Sequence, residues 1–299
     1  MVVVVVVVVG KYAFCNIVVI CIGLSWWLKL LIGGEMVDNL SVVRLHELQL
    51  LSQAAYYDLW NGDGRKQSAH ALVDLFFGIV RILQPHSFIE AGAKTGETSL
   101  RARSLCPDAR VVAFEANPYN YSRYAEQFRH DEKSVEYVHS ALAAEPGQIT
   151  FNIISKRDGV EVTPYTGQNS ILERVSTGVE YESVTVPATT LDSYFTDAGR
   201  TAMWVDVEGA SKQVVAGGER LLATTDVMLI ELEDEPKWKE QWNSTEALVH
   251  LFGHGLTPVA RDFEYRTQHN VLLLSDRAMA DSEVLVNLEY YFSVLTRRR

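Results

Sequence analysis

The sequence has little cysteine, no dense basic stretch and no phosphate-cradling glycine loop, and each absence removes a class of protein. Of three cysteines in 299 residues, Cys15 and Cys21 sit in the apolar N-terminus and only Cys106 lies further on, which excludes an internal disulfide framework or a cysteine metal cluster. Lys and Arg number 27 against 38 Asp and Glu, for a net charge of -11. That balance excludes a broad nucleic-acid face, which needs clustered cations to displace counterions. The one basic run, Arg297-Arg298-Arg299, is a solvated tail. His250 and His254 are the one histidine pair at helical i, i+4 spacing; Gly253 between them, and no Glu directly after His250, read as a surface helix end. No metal is expected, since the only other ligand grouping is a pair of carboxylates. No Gly-x-Gly-x-x-Gly or Gly-Lys-Ser/Thr phosphate loop is present.

What is there begins with residues 2 to 9, eight valines in a row, a low-complexity tract set aside from fold reasoning. Tyr12 to Leu28 runs seventeen residues with no charge, at the short limit for a membrane-spanning helix, and is followed by Lys29 and then Leu30 to Gly34. Residues 1–35 are therefore read as a low-complexity and apolar segment. A single-pass anchor is weighed first, ahead of a cleaved signal peptide and of a start at Met36. The anchor reading puts the domain in a lumen; a start at Met36 makes it cytoplasmic. Asn39-Leu-Ser, Asn120-Tyr-Ser and Asn243-Ser-Thr are glycosylation sequons that agree with the lumenal reading.

Residues 36–299 read as one domain with no internal repeat. Apolar residues recur at helical spacing over residues 40–60 and 68–83, with Asn61-Gly-Asp-Gly64 as the break between two helices and Pro85 ending the second. Short apolar runs then alternate with helix-length stretches: Ser87 to Ala91, Val111 to Glu115, Val135 to Ser140, Met203 to Val207, Val227 to Leu232 and Val271 to Leu274. That pattern predicts an α/β fold with a mostly parallel sheet covered on both faces. Gln148 to Ile154 and Glu182 to Pro187 alternate like strands of a hairpin inserted between the third and fourth core strands. Trp238 and Trp242, at i, i+4 spacing after Pro236, are expected on one helix face packing on the domain.

The first core strand runs into Phe88-Ile-Glu-Ala-Gly-Ala-Lys-Thr-Gly96, where Glu90 ends the strand and Gly92 and Gly96 bracket a turn into a helix. Glycine there lets a ligand lie against bare backbone beside the N–H groups of a helix start. The second strand ends in Glu115, 23 residues beyond Gly92, where an acid accepts both ribose hydroxyls of an adenosine. The gap in Gly92-Ala-Lys-Thr-Gly96 is wrong for a pyrophosphate, so the ligand is read as an adenosine without a diphosphate. Asp206 and Glu208 stand two apart in the extended end of the fourth strand, which Gly209 closes, so that both face one way at the ligand-binding edge. Ala210 to Leu222 then has helical periodicity.

These four pieces, FIEAGAKTG, AFEANP, VPATTLDSYF and WVDVEGASKQVVAGGERLL, together resemble the FkbM family of methyltransferases over roughly Ser87 to Ser275. The resemblance implies a class I methyltransferase fold of seven strands with the last antiparallel, S-adenosyl-L-methionine as methyl donor, and O-methylation of a hydroxyl on a small molecule or glycan. It implies cofactor binding by Glu90, Gly92, Ala93, Lys94, Gly96, Glu115, Ala116, Ser140, Ala141 and Asp206, with Asp206 and Glu208 as the catalytic pair. Lys94 and Ala116 depart from the family, which usually carries Asn and Pro there. Lys94 either pairs with the methionine carboxylate or points to solvent. Glu208 is either the base or a cap on the helix starting near Ala210; Asn169-Ser170 resembles a family position near the pocket. The rival readings are a nicotinamide-dependent oxidoreductase and a silent, membrane-tethered adenosine-binding module.

Overall fold

The computed structural model describes residues 38–197 and 199–297. The valine tract, the apolar segment 12–33 and Met36 lie outside the described residues. Among the described residues no helix is long and apolar enough to cross a membrane.

The chain starts with α1 (Asn39–Ser52), which tightens into a 3-10 turn over Gln53–Tyr56, and continues with α2 (Gly62–Leu83). The expected break at 61–64 is instead the first turn of α2. Asn61 is its N-cap, accepting the Gly64 N–H at 2.7 Å, because a short amide side chain satisfies an orphan donor better than it makes a turn. Pro85 ends the helix as expected, with Gln84 left-handed at φ 43°.

Alternation follows: β1 (Ser87–Ala91), α3 (Glu97–Leu105), β2 (Arg110–Glu115), α4 (Pro118–Phe128), β3 (Glu136–His139), β4 (Ala141–Leu142), β5 (Gly147–Arg157), β6 (Val160–Glu161), β7 (Val179–Thr189), α5 (Leu191–Tyr194) and β8 (Thr201–Val205). Then come α6 (Ser211–Ala216), α7 (Glu219–Leu222), β9 (Thr225–Glu233), α8 (Ser244–Gly253), β10 (Leu256–Arg261), β11 (Gln268–Ser275), α9 (Asp276–Met279) and α10 (Ser282–Arg297). Seven strands form one sheet in the order β10-β11-β9-β8-β1-β2-β3, all parallel except β11, which runs against both neighbours. That is the class I methyltransferase arrangement.

The sheet is buried on both faces because successive strand residues point oppositely. Phe88 of β1 joins Phe76 and Phe77 of α2 in one core, while Ile89 and Ala91 join Val214, Leu222 and Leu248 in the other. Phe76 is fully enclosed, with ring centroids 5.2 Å from Phe77 and 5.6 Å from Trp204. Truncating such a ring to alanine costs about 3–5 kcal/mol.

Three expectations are corrected. The sheet strand absent from the six apolar runs, β10, lacks one because it is an edge strand interrupted by Pro258, where the register shifts. The predicted helix over Ala210 to Leu222 is two short helices, since Gly217 and Gly218 sit too close to Ala143, Thr190 and Leu191 to carry side chains. Trp238 and Trp242 are buried but precede α8 rather than lying on a helix: Trp238 bridges to Arg174, and Asn243 caps α8. The inserted pair is present and longer than expected, with β5 and β7 antiparallel over eleven residues each. Asn120, one of the three sequon asparagines, is 2% exposed and so closed to modification in the folded domain.

Candidate active site

The C-terminal edge of the sheet is where loops from parallel strands converge, and ligands of open α/β sheets bind there. Loops after β1, β2, β3 and β8 enclose a cavity of about 220 Å³ at this edge, roofed by the segment following β6. A single buried water needs on the order of 10–15 Å³ of such space, so the cavity has room for far more than solvent filling.

The β1 loop is built on two left-handed glycines. Gly92 has φ 82°, and a Cβ there would stand 1.7 Å from the Asp206 carbonyl oxygen. No other residue fits: the loop after β8 passes directly over it, and the Asp206 N–H donates to the Ala91 carbonyl at 2.9 Å. Gly96 has φ 70° and faces His130, whose Nε2 lies 2.9 Å from the Thr95 carbonyl. Between them Lys94 is also left-handed, at φ 46°. Its carbonyl accepts a hydrogen bond from the Tyr137 hydroxyl, and its amine lies beside Gly167 of the roof.

Glu115 ends β2 and lines the cavity at 5% exposure. Its two oxygens accept the backbone N–H groups of Lys94 at 2.6 Å and Asn117 at 2.7 Å. Burial pushes its carboxyl up to about 7, opposed by those two N–H bonds and by Lys94. A carboxylate has about four lone-pair directions, so acceptor capacity is left over toward the cavity.

The remaining sequence candidates divide. Gly92, Lys94, Glu115, Ala116, Ser140, Ala141, Asp206 and Glu208 all line the cavity, as does Asn169. Ser140 and Ala141 form a wall of small side chains, and Asn169 is held by the Ile154 N–H at 2.9 Å. Glu90, Ala93, Gly96 and Ser170 do not line it. Glu90 lies beneath the loop with Oε2 accepting the Ser99 N–H at 2.9 Å at the start of α3, and burial pushes its carboxyl up to about 8. Ala93 is packed into the core, while Gly96 accommodates His130.

Asp206 and Glu208 are brought together, though not by an extended strand. β8 ends at Val205, and Glu208 at φ 49° and Gly209 at φ 84° turn the loop through left-handed backbone, pressed against Trp238. A Cβ on Gly209 would stand 2.2 Å from the indole. Glu208 does not cap the following helix, whose first turn has no side-chain cap; its Oε2 lies 3.7 Å from Nη2 of Arg174, whose guanidinium stacks 4.2 Å above Trp238. Burial first, then the Asp206 charge, raise the Glu208 carboxyl; Arg174 opposes. Burial raises Asp206 as well, opposed by Lys94.

Glu231 is the residue that sequence reasoning missed. Its carboxylate meets those of Asp206 and Glu208, with ligand oxygens of all three within 4.8 Å of one another. Oε1 is enclosed and has no hydrogen-bond partner, and burial together with the neighbouring carboxylates pushes the group well up. The signal was legible: Glu231 and Glu233 interrupt the apolar fifth core strand at alternate positions near its C-terminal end. Arg174 had no such signal, because its partners arrive from β8 and the segment after β9.

Comparisons with known proteins bear on this geometry. A curated 2-O-methyltransferase, NoeI of Sinorhizobium fredii (strain NBRC 101917 / NGR234), is 25% identical over 162 residues, 51% of this chain and 65% of that protein. The match thus spans less than two thirds of that relative's length. A solved FkbM methyltransferase from Methylobacillus flagellatus KT superposes with a TM-score of 0.40 at 10% identity, over 64% of this chain and 44% of that one. The magnesium protoporphyrin IX methyltransferase of Synechocystis PCC 6803, solved with bound S-adenosylmethionine, gives 0.41 at 9% identity, over 80% and 98%. Such superpositions say nothing about substrate. The model of the methyltransferase FkbM domain, a family that uses S-adenosylmethionine, matches residues 90–266, more than half of the 299 residues, and the chain belongs to that family.

Proposed function

We propose that this chain is an S-adenosylmethionine-dependent methyltransferase that methylates a hydroxyl oxygen on a small molecule or glycan. The observation that carries the reading is the meeting of a bare-backbone turn at Gly92 and the Glu115 carboxylate on one side of a cavity, with Glu208 on another side. The 2-O-methyltransferase named above supports an oxygen acceptor, and support from its name extends no further.

The residues fit the cofactor. Glu115 retains acceptor capacity for ribose hydroxyls, Gly92 forms the tight turn that lets the β8 loop close beside it at the cavity wall, and Ser140 with Ala141 presents a wall low enough for a planar ring. Lys94 and Asp206 would meet the charged amino-acid end. Bound S-adenosylmethionine supplies a methyl group on a positively charged sulfur, ready for in-line displacement. The protein's own work is to hold the acceptor oxygen in line, exclude water and take the hydroxyl proton. Glu208 takes that proton on a carboxylate oxygen. Its raised affinity for protons suits a base working near neutral pH, and Arg174 keeps it from holding its own proton too tightly.

A nicotinamide-dependent dehydrogenase has no support in the Gly92-Ala-Lys-Thr-Gly96 loop or in the family, nor has a silent adenosine-binding module. Calorimetric titration of the full chain with S-adenosylhomocysteine and with NADH tests the reading. Binding of the first at micromolar strength, lost at least about tenfold in Glu115→Ala, upholds it. Binding of NADH alone, or of neither, overturns it.

A further inference from the structure

Outside the cavity lining, the structure assembles a second constellation. His250 in the last turn of α8, His254 at its C-cap and Glu219 at the first position of α7 direct one ligand atom each toward a common point, all within 4.8 Å of one another. Nε2 of His250 stands 3.1 Å from Glu219 Oε1, and Nε2 of His254 stands 2.9 Å from Oε2. The two imidazole rings are 4.8 Å apart, as i, i+4 residues on one helix face must be.

Sequence spacing alone made this a surface helix end. What changes the reading is the third ligand, 31 residues before His250 in the chain, and the state of the His250 nitrogen. That Nε2 is enclosed and forms no hydrogen bond, although a carboxylate oxygen lies 3.1 Å away. An imidazole nitrogen shielded from water, facing a carboxylate oxygen but outside hydrogen-bonding geometry, is poorly satisfied, and an ion between the three groups would satisfy it. Two imidazoles and one carboxylate are a ligand set of late first-row divalent ions, at metal–ligand distances of about 2.0–2.2 Å. Magnesium and calcium prefer all-oxygen shells and fit this ligand set poorly.

We propose that Glu219, His250 and His254 form a zinc-type metal site with an open fourth position, clipping α7 to α8. The site is independent of the methyl-transfer reading and shares no residue with it. All three side chains are partly exposed, at 48%, 37% and 29%, so an ion enters without unfolding. A bound ion ties α7, the second short helix after the Asp206–Glu208 loop, to α8, which precedes β10.

The test uses the full chain stripped with a chelator and titrated with Zn²⁺ or Co²⁺ alone, with Mg²⁺ as control. One equivalent of Co²⁺ is expected to give the visible absorption of a nitrogen-ligated ion, and Zn²⁺ to raise the melting temperature. His250→Ala/His254→Ala is expected to lose at least ~10-fold in affinity and the absorption with it; Glu219→Gln loses less, since both imidazoles remain. Glu208→Gln is expected to leave Zn²⁺ affinity unchanged. Absence of Zn²⁺ or Co²⁺ binding overturns the proposal and leaves two histidine–carboxylate surface contacts. Binding that is unchanged in the histidine variants, or matched by Mg²⁺, overturns it equally.

Discussion

Glu115 accepts the backbone N–H of Lys94 at 2.6 Å, joining the end of β2 to the turn after β1 through one side chain. The same carboxylate accepts the Asn117 N–H at 2.7 Å, so two of the loops bounding the cavity are set by a single buried acid. The residue that reads the ribose in the proposed function also shapes the place where it is read.

S-Adenosylhomocysteine affinity should therefore depend on pH. The carboxyl of Glu115 is pushed up to about 7 by burial, so below that pH it binds a proton and loses an acceptor direction toward the cavity. Affinity is expected to rise as pH increases from about 6 to about 8, and Glu115→Gln to bind weakly and without that dependence. Calorimetry at both pH values decides; a wild-type affinity that is flat with pH refutes the assignment.

Glu90 supplies a stability test that does not involve the cavity. Its folded carboxyl is pushed up to about 8 by burial, while the unfolded group titrates near the ordinary glutamate value of 4.5. Between those values the folded chain holds a proton that the unfolded chain has released, so the Glu90 contribution falls as pH rises through that window. Wild type should lose stability from about pH 5 to about pH 8, and Glu90→Gln should lose on the order of a few kcal/mol less. The amide oxygen still accepts the Ser99 N–H. Urea unfolding at the two pH values measures the difference, and identical slopes for the two proteins contradict it.

Most of the sheet was legible because buried parallel strands are written as short apolar runs, from Ser87–Ala91 to the run within Gln268–Ser275. β10 was not, because an edge strand has one neighbour and tolerates Pro258. The glycine turn and Glu115 were legible as local spacing. Glu231 was legible as an acid breaking an apolar strand near its C-terminal end but was not singled out, while Arg174 was not legible, since its partners are brought to it by loops distant in sequence. The extended reading of Asp206–Glu208 failed for a related reason. Left-handed backbone at a glutamate is set by the close pass over Gly92 and by contact with Trp238, neither of which a single segment encodes.

Gly92→Ala should be among the most damaging single-methyl changes. Its Cβ would stand 1.7 Å from the Asp206 carbonyl oxygen, and the φ of 82° is strained for any L side chain. Either the β1 turn or the loop carrying Asp206 and Glu208 must move. A loss of about 2–3 kcal/mol of stability, together with loss of S-adenosylhomocysteine binding, is expected. Gly147→Ala is the control: its φ of 146° lies in the same glycine-favouring range, but no atom lies within 4 Å of the new Cβ, so binding should survive. Calorimetry and thermal melts of the two variants separate crowding at the site from backbone strain alone.

Arg174 places a positive charge 3.7 Å from the Glu208 carboxylate, with its guanidinium 4.2 Å over Trp238. Arg174→Met retains an unbranched apolar side chain of similar length and removes the charge, so the Glu208 carboxyl should hold its proton to higher pH. Deprotonated Glu208 is the form that accepts the hydroxyl proton, and the acid limb of the rate profile should move to higher pH with it. Carbon-13 NMR of labelled glutamate carboxyls reads this without any acceptor, with Glu208→Gln identifying the resonance. Asp206 and Glu231 lie close enough that the group titrates jointly, so the whole cluster's apparent midpoint shifts upward. A midpoint that stays fixed or moves down in Arg174→Met shows that Arg174 does not set the basicity of this carboxylate, and the base would then be sought at Glu231.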